Sequence, residues 1–179
     1  DIITFAKGLA SGYMPVAATF ARKDIFESFL GEVGDTSHFR QINTFGGHPV
    51  AAAVAMRNIQ IVEEEDLPTN ALKVGEYLRA ELESAVGAHP HVGEIRGMGL
   101  LTGVELVVDR DSKVPLAESD MTKILAHALD RGVLLGRNTN TIPGRCNVLL
   151  ISPPLILARE DADRIVESVH GALADLVDR

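Results

Sequence analysis

Short apolar, β-branched runs alternate along this chain with longer segments whose apolar residues recur at helical spacing. That alternation restricts the fold to packed layers of helix and sheet. Ile2 to Ala6 is the first strand-like run, and it feeds into Lys7-Gly8-Leu9-Ala10-Ser11-Gly12, a small-residue loop. Glycine in such a loop permits positive φ and close approach of other groups. Pro15 to Ala21 is a second strand candidate, and Asp24 is placed to cap a short helix running to Leu30. Gly31 to Arg40 is polar and reads as a loop. Asn43 to Pro49 is a turn-rich entry to a long helix, with Pro49 at the first helical position. Val50, Val54, Ile61 and Val62 carry that helix, and the alanines between them suit close packing.

Leu67-Pro68 reads as a linker between two lobes. Beyond it, Asn70 to Val86 is an amphipathic helix in which Leu72, Tyr77, Leu78 and Leu82 share a broad apolar side. Val92 to Val108 is a strand–turn–strand unit built on Arg96-Gly97-Met98-Gly99. Met121 to Arg131 is a helix stopped by Gly132. Val133 to Leu135 and Val148 to Ile151 are short strands, and Pro153-Pro154 marks an exit because proline cannot donate within a central strand. Arg159 to Val177 is a terminal amphipathic helix. The expected class is α/β after the linker, preceded by the tail of another α/β layer.

Composition excludes some functions. The formal net charge of -8 argues against non-specific nucleic-acid binding, which needs a basic face. No apolar run is long enough to span a bilayer, so no membrane partner is expected. A single cysteine, Cys146, forms no internal disulfide and fits a reducing compartment, which makes the cytoplasm the expected location. Asp1 opens directly into a strand-like run without an initiator Met, so the chain is expected to be a fragment of a longer polypeptide.

Three places carry chemistry. Lys7 sits where an apolar strand meets a glycine loop. Carbonyl attack needs a lysine amine that is neutral part of the time, and partial burial or a nearby cation favours that. A strand-end lysine can equally point to water, and the spacing leaves both readings open. Thr44, within Asn43-Thr44-Phe45-Gly46-Gly47-His48-Pro49, adds a hydroxyl to a helix N-terminus that can hold an anion. The plainer reading is a capped helix start. Arg96 presents a planar fork suited to a carboxylate, or it pairs with a surface acid such as Glu94 or Glu105. Arg137 and Arg145 flank the loop Asn138 to Gly144 and suit the same purpose. The six histidines show no metal-like grouping, so no metal is expected, and Cys146 reads as structural.

Taken together, the segments resemble one family. Residues Asp1-Ile2-Ile3-Thr4-Phe5-Ala6-Lys7-Gly8-Leu9-Ala10-Ser11-Gly12-Tyr13-Met14-Pro15 look like the lysine segment of class III, ω-amino acid type, aminotransferases. Thr44-Phe45-Gly46-Gly47-His48-Pro49, Arg96-Gly97-Met98-Gly99-Leu100 with Gly103-Val104-Glu105-Leu106, and Ser152-Pro153-Pro154-Leu155-Ile156 are similar to three more of its segments, in the same order. The resemblance implies a fold-type I enzyme dependent on pyridoxal 5'-phosphate and working as a homodimer. Residues 1–67 would be the C-terminal part of its large domain, and 68–179 its small C-terminal α/β domain. Lys7 would be the catalytic lysine, holding the cofactor as a Schiff base and later shuttling a proton. Thr44 would bind the phosphate in the partner subunit's site. Arg96 would contact the substrate carboxylate, and Arg137 would be the mobile arginine of the amine–pyruvate members.

The implied reaction moves an amino group between an amine or ω-amino acid and a keto acid such as pyruvate. The family's phosphate loop, ring-stacking aromatic residue and acidic partner of the pyridine nitrogen lie upstream of its lysine, so this stretch by itself is expected to be inactive. Two alternatives accompany that reading. One is a mutase, racemase or decarboxylase of the same superfamily. The other is a stand-alone, non-catalytic domain for binding or assembly.

Overall fold

The computed structural model describes residues 1–139 and 142–177. It divides into two compact units, Asp1–Glu65 and Asp66–Arg179.

In the first unit, β1 (Ile2–Phe5) pairs antiparallel with β2 (Ala18–Ala21), from Ile2 opposite Ala21 to Phe5 opposite Ala18. The second strand is shorter than the expected Pro15 to Ala21. Pro15 has no amide to donate, and β1 offers only four residues to pair with. The segment after β1 is a 3-10 turn over Lys7–Ala10 rather than an open loop. The short helix α1 (Lys23–Glu27) is entered through Arg22, not capped by Asp24. Asp24 lies inside the first turn, where its carboxylate accepts from Arg22 Nη2 at 2.5 Å and Nε at 3.0 Å. That bond holds the Asp24 carboxyl below the usual carboxylate range. Helix α2 (Pro49–Glu64) begins at Pro49 as its sequence requires.

In the second unit, α3 (Leu67–Val86) starts at Leu67, so Leu67-Pro68 is the first turn of a helix and not a linker. Proline is tolerated there because the first amides have no intrahelical acceptor, and burying Leu67 favours the helical start. The chain breaks one residue earlier, at Asp66, whose φ is +47°. Val74, Leu78, Leu82 and Val86 form the buried stripe of α3, at spacing of one helical turn. Leu72 lies outside that stripe and is exposed. Tyr77 donates its hydroxyl to Asp163 at 2.6 Å, which joins α3 to the terminal helix.

The hairpin β3 (Val92–Met98) and β4 (Leu101–Leu106) follows. Its turn passes through Gly99 at φ +53°. Helix α3 sits directly on this turn. A Cβ at Gly75 would lie 1.8 Å from the Gly99 carbonyl oxygen, so only glycine allows the approach. Helix α4 (Glu118–Asp130) starts before the expected Met121. Glu118 and Asp120 occupy its first turn, where negative charge suits the helix dipole. Gly132 ends it at φ +77°.

Val133 to Leu135 is not a strand. The Val133 amide still donates to the Ala128 carbonyl at 2.9 Å, so the chain is leaving α4 there. Pairing begins only at β5 (Gly136–Arg137). Strand β6 (Val148–Ile151) completes an antiparallel sheet in the order β3-β4-β6-β5. Helix α5 (Arg159–Val177) closes the unit. Along β4, Thr102, Val104 and Leu106 are buried and the residues between them are more open, so one sheet face holds the core. Leu78, Leu82, Met121, Ile124, Leu149, Ile151 and Leu173 fill that core.

Candidate functional site

The lysine segment is built by the end of a strand and held by a helix. Ala6 is still extended, and Lys7 turns sharply at φ +50°. A non-glycine residue in the left-handed region carries strain, of order 1–3 kcal/mol by the usual cost. Asn58, midway along α2, holds the turn in place. Its amide nitrogen donates to the carbonyls of Gly8 at 2.9 Å and Leu9 at 3.2 Å, and its carbonyl oxygen accepts from Ser11 Oγ at 2.7 Å. Three polar contacts from one side chain fix the backbone that presents Lys7. Among the described residues no carboxylate pairs with the Lys7 ammonium. A Cβ added at Gly8 or Gly12 would meet nothing within 4 Å, so there is open space beside the lysine.

Sequence reasoning passed over Asn58. Its only signal is an amide placed among Val54, Ile61 and Val62 in an otherwise apolar, alanine-rich helix.

Thr44 lies in the tight turns that lead into α2, where Gly46 N–H donates to the Asn43 carbonyl at 2.9 Å and His48 N–H to Phe45 at 3.2 Å. Its side chain is exposed. No side chain caps α2, and His48 Nδ1 is buried with no partner among the described residues. An uncapped helix start with a polar ring atom left over is a donor set suited to an anion such as a phosphate. An amine with no acid paired to it among the described residues and open space beside it suit attachment of pyridoxal phosphate, and the uncapped helix start suits the phosphate of a second such group.

The arginines sit in the second unit. Arg96 Nη1 donates to Glu94 Oε2 at 2.6 Å and to Glu105 Oε2 at 2.7 Å. The Glu105 hydrogen bond is the largest cause that raises the guanidinium pKa; burial opposes it, and the charges of Glu105 and Glu94 add to the rise. The surface-acid pairing is thus made, and it leaves the other edge of the Arg96 fork available. Arg137 Nη2 donates to Glu118 Oε1 of α4 at 2.5 Å, while its Nη1 is buried without a partner among the described residues.

Sheet register separates these two arginines. Arg96 lies opposite Gly103, in the row of Leu150 and Gly136, whereas Arg137 lies opposite Leu149, in the row of Val104. Leu149 and Val104 are fully buried, so Arg137 belongs to the helix-covered face and Arg96 to the open one. Arg145 joins Arg96 instead. Both line a pocket of about 210 Å³ with Glu105 and Asn138, and no acid among the described residues pairs with Arg145. In the loop between the two flanking arginines, Asn140 and Thr141 lie outside the described residues. No group of three or more His, Cys, Asp or Glu among the described residues is placed to hold a metal ion.

Comparison with known proteins gives a consistent picture. The family described as aminotransferase class-III matches residues 1–173. The uncharacterized aminotransferase YhxA of Bacillus subtilis is 43% identical over 94% of this chain and 37% of its own length. Taurine–pyruvate aminotransferase of Rhodobacter capsulatus is 40% identical over 98% of this chain and 39% of its own length. Among solved structures, a Bacillus anthracis aminotransferase superposes with a TM-score of 0.94 at 39% identity, covering 98% of this chain and 39% of that one. An (S)-enantioselective ω-transaminase from Thermomicrobium roseum does so with a TM-score of 0.83 at 36% identity, over 98% of this chain and 37% of that one. The chain therefore spans under two fifths of the length of these relatives. With the fold-type I transaminases as its structural counterparts and nearly its full length matched, the chain belongs to the class III aminotransferase family.

Proposed function

We propose that Lys7 is the covalent attachment point for pyridoxal phosphate in an aminotransferase that takes an amine or ω-amino acid as donor and a keto acid such as pyruvate as acceptor. The observation that carries the reading is the strained Lys7 turn, tied down by Asn58 and free of acidic partners. Pyruvate as acceptor is supported by the taurine–pyruvate relatives. When bound, the cofactor supplies the electron sink that stabilises negative charge at the substrate carbon.

The chain's own residues bind and orient. Lys7 anchors the cofactor and then carries the proton at the carbon that bears the amino group. Thr44 and the uncapped start of α2 hold the phosphate, in the site of a partner subunit of a homodimer. Arg96 takes the substrate carboxylate with the edge of its fork that Glu94 and Glu105 leave open. Arg137 is a second anion-binding arginine on the opposite sheet face, with its Nη1 buried and without a partner among the described residues. Residues 1–67 act as part of the cofactor-binding domain and 68–179 as the small domain. The cytoplasm is the proposed location.

Reduction with borohydride in the presence of pyridoxal phosphate, followed by peptide mass analysis, tests the assignment. One adduct on Lys7, absent from Lys7→Ala, is expected. An adduct on another lysine overturns it.

A further inference from the structure

Arg145 stands in the loop that joins β5 to β6, and hydrogen bonds fix its backbone. Asn138 N–H donates to the Val148 carbonyl at 3.0 Å, and Asn138 Oδ1 accepts from the Val148 N–H at 2.9 Å, so the two ends of the loop are pinned together. Asn138 Nδ2 donates to the Arg145 carbonyl at 2.6 Å. The Arg145 N–H donates to the Ile142 carbonyl at 3.1 Å, across a turn that Gly144 makes at φ +73°. The guanidinium is the opposite case, since no acid among the described residues pairs with it.

Arg96 lines the same pocket of about 210 Å³. Glu94 and Glu105 both accept from its Nη1, so the nearby acids are engaged on one nitrogen of Arg96, and Arg145 is the cation left without a counter-charge. Glu105 also lines the pocket, where it disfavours a second negative charge on a ligand. Ile142 and Val148 add apolar contacts suited to a short carbon chain. Every lining residue belongs to the second unit, which builds this pocket by itself. We infer that Arg145 is a specificity-determining residue, and that its pocket takes a singly charged acid group on a short aliphatic chain. The fork of Arg145 binds the acid, and the free edge of Arg96 supports it. The inference rests on the reading that Arg96 contacts the acid group of the amino donor. It adds the residue that selects such donors over amines that carry no acid.

Titration of the full chain with propionate, followed through the Nε–Hε resonances of its arginines, tests the inference. Saturable shifts of Arg145 and Arg96 are expected, with none on adding propanol. Arg145→Leu should weaken propionate binding by about tenfold or more, since a hydrogen bond to a charged group is lost. Arg164→Leu, which makes the same change of charge on the surface of α5, should bind as the parent does. Shifts that grow without saturating would show screening only and overturn the inference. Undiminished binding in Arg145→Leu overturns it as well, and so does sulfate, a dianion, binding more tightly than propionate. The borohydride adduct is read separately. An adduct on Lys7 in a chain that does not bind propionate removes this inference and keeps the Lys7 reading. Propionate binding with the adduct on another lysine does the reverse.

Discussion

The two units bury their apolar residues to very different degrees. The second holds a continuous cluster in which Leu78, Leu82, Leu106, Met121, Leu149 and Leu173 are fully buried between one sheet face and three helices. Among the described residues of the first unit, the buried hydrophobics are only Ala10, Ala51 and Ala55. Both units have ordinary secondary structure, so the difference lies in layering and not in local propensity. A two-stranded sheet is marginal by itself, whereas four strands backed by helices enclose a core. The second unit thus carries a core of its own, whereas the described residues of the first bury only small side chains.

Core truncation tests that contrast most sharply. Leu78→Ala removes a fully buried side chain and should cost about 2–5 kcal/mol in chemical denaturation. Ile3→Ala, at an exposed position, should fall within about 0.5 kcal/mol. Equal costs would mean that the first unit has a core of its own. Next in size is Gly75→Ala, whose Cβ would overlap the Gly99 carbonyl. A melting-point loss corresponding to about 1–3 kcal/mol is expected. A neutral result would mean that α3 does not sit on the hairpin turn.

Asn58→Ala should cost the first unit about 1 kcal/mol, seen as faster exchange of the amides around Lys7 with the unfolding of the second unit unchanged. If both units respond, the tether is not local.

The smallest effect expected is a pH dependence at His89. Burial, and then the neighbouring charges of His91 and His170, lower its pKa from the ordinary 6.5, with a contact to the Leu173 carbonyl opposing. Its Nδ1 also accepts the His91 amide at 3.2 Å, which requires the neutral ring. Because the folded value lies below the unfolded one, the contribution is complete above about 6.5 and is lost as the pH falls below it. The urea midpoint of the second unit should drop between pH 7.5 and pH 5.5, and by less in His89→Gln. Identical drops in the two proteins would remove His89 as the cause.

Periodicity alone was enough for the long helices and for the hairpin at Arg96-Gly97-Met98-Gly99, because burial of one face imposes a repeat that the residues must carry. The same is true of the glycines at Gly99 and Gly132, whose positive φ no side chain would tolerate cheaply. Boundaries were less legible. Leu67 counts as linker or helix depending on whether a core lies beneath it, and the pairing of β5 with β6 rather than through Val133 depends on where α4 lets go. The local settings of Lys7, Thr44 and Arg96 could be read from their neighbours, because strand ends, helix starts and glycine turns are local features. Asn58 could not, since its three contacts reach 47 to 50 positions along the chain. Nor could the separation of Arg96 from Arg137 onto opposite sheet faces, or the meeting of Arg96 with Arg145. The sequence by itself determined which segments could be helix, strand or turn, because those preferences act over a few residues. Tertiary structure alone decided which side chains meet and which faces stay bare, because register and packing join positions far apart in the chain.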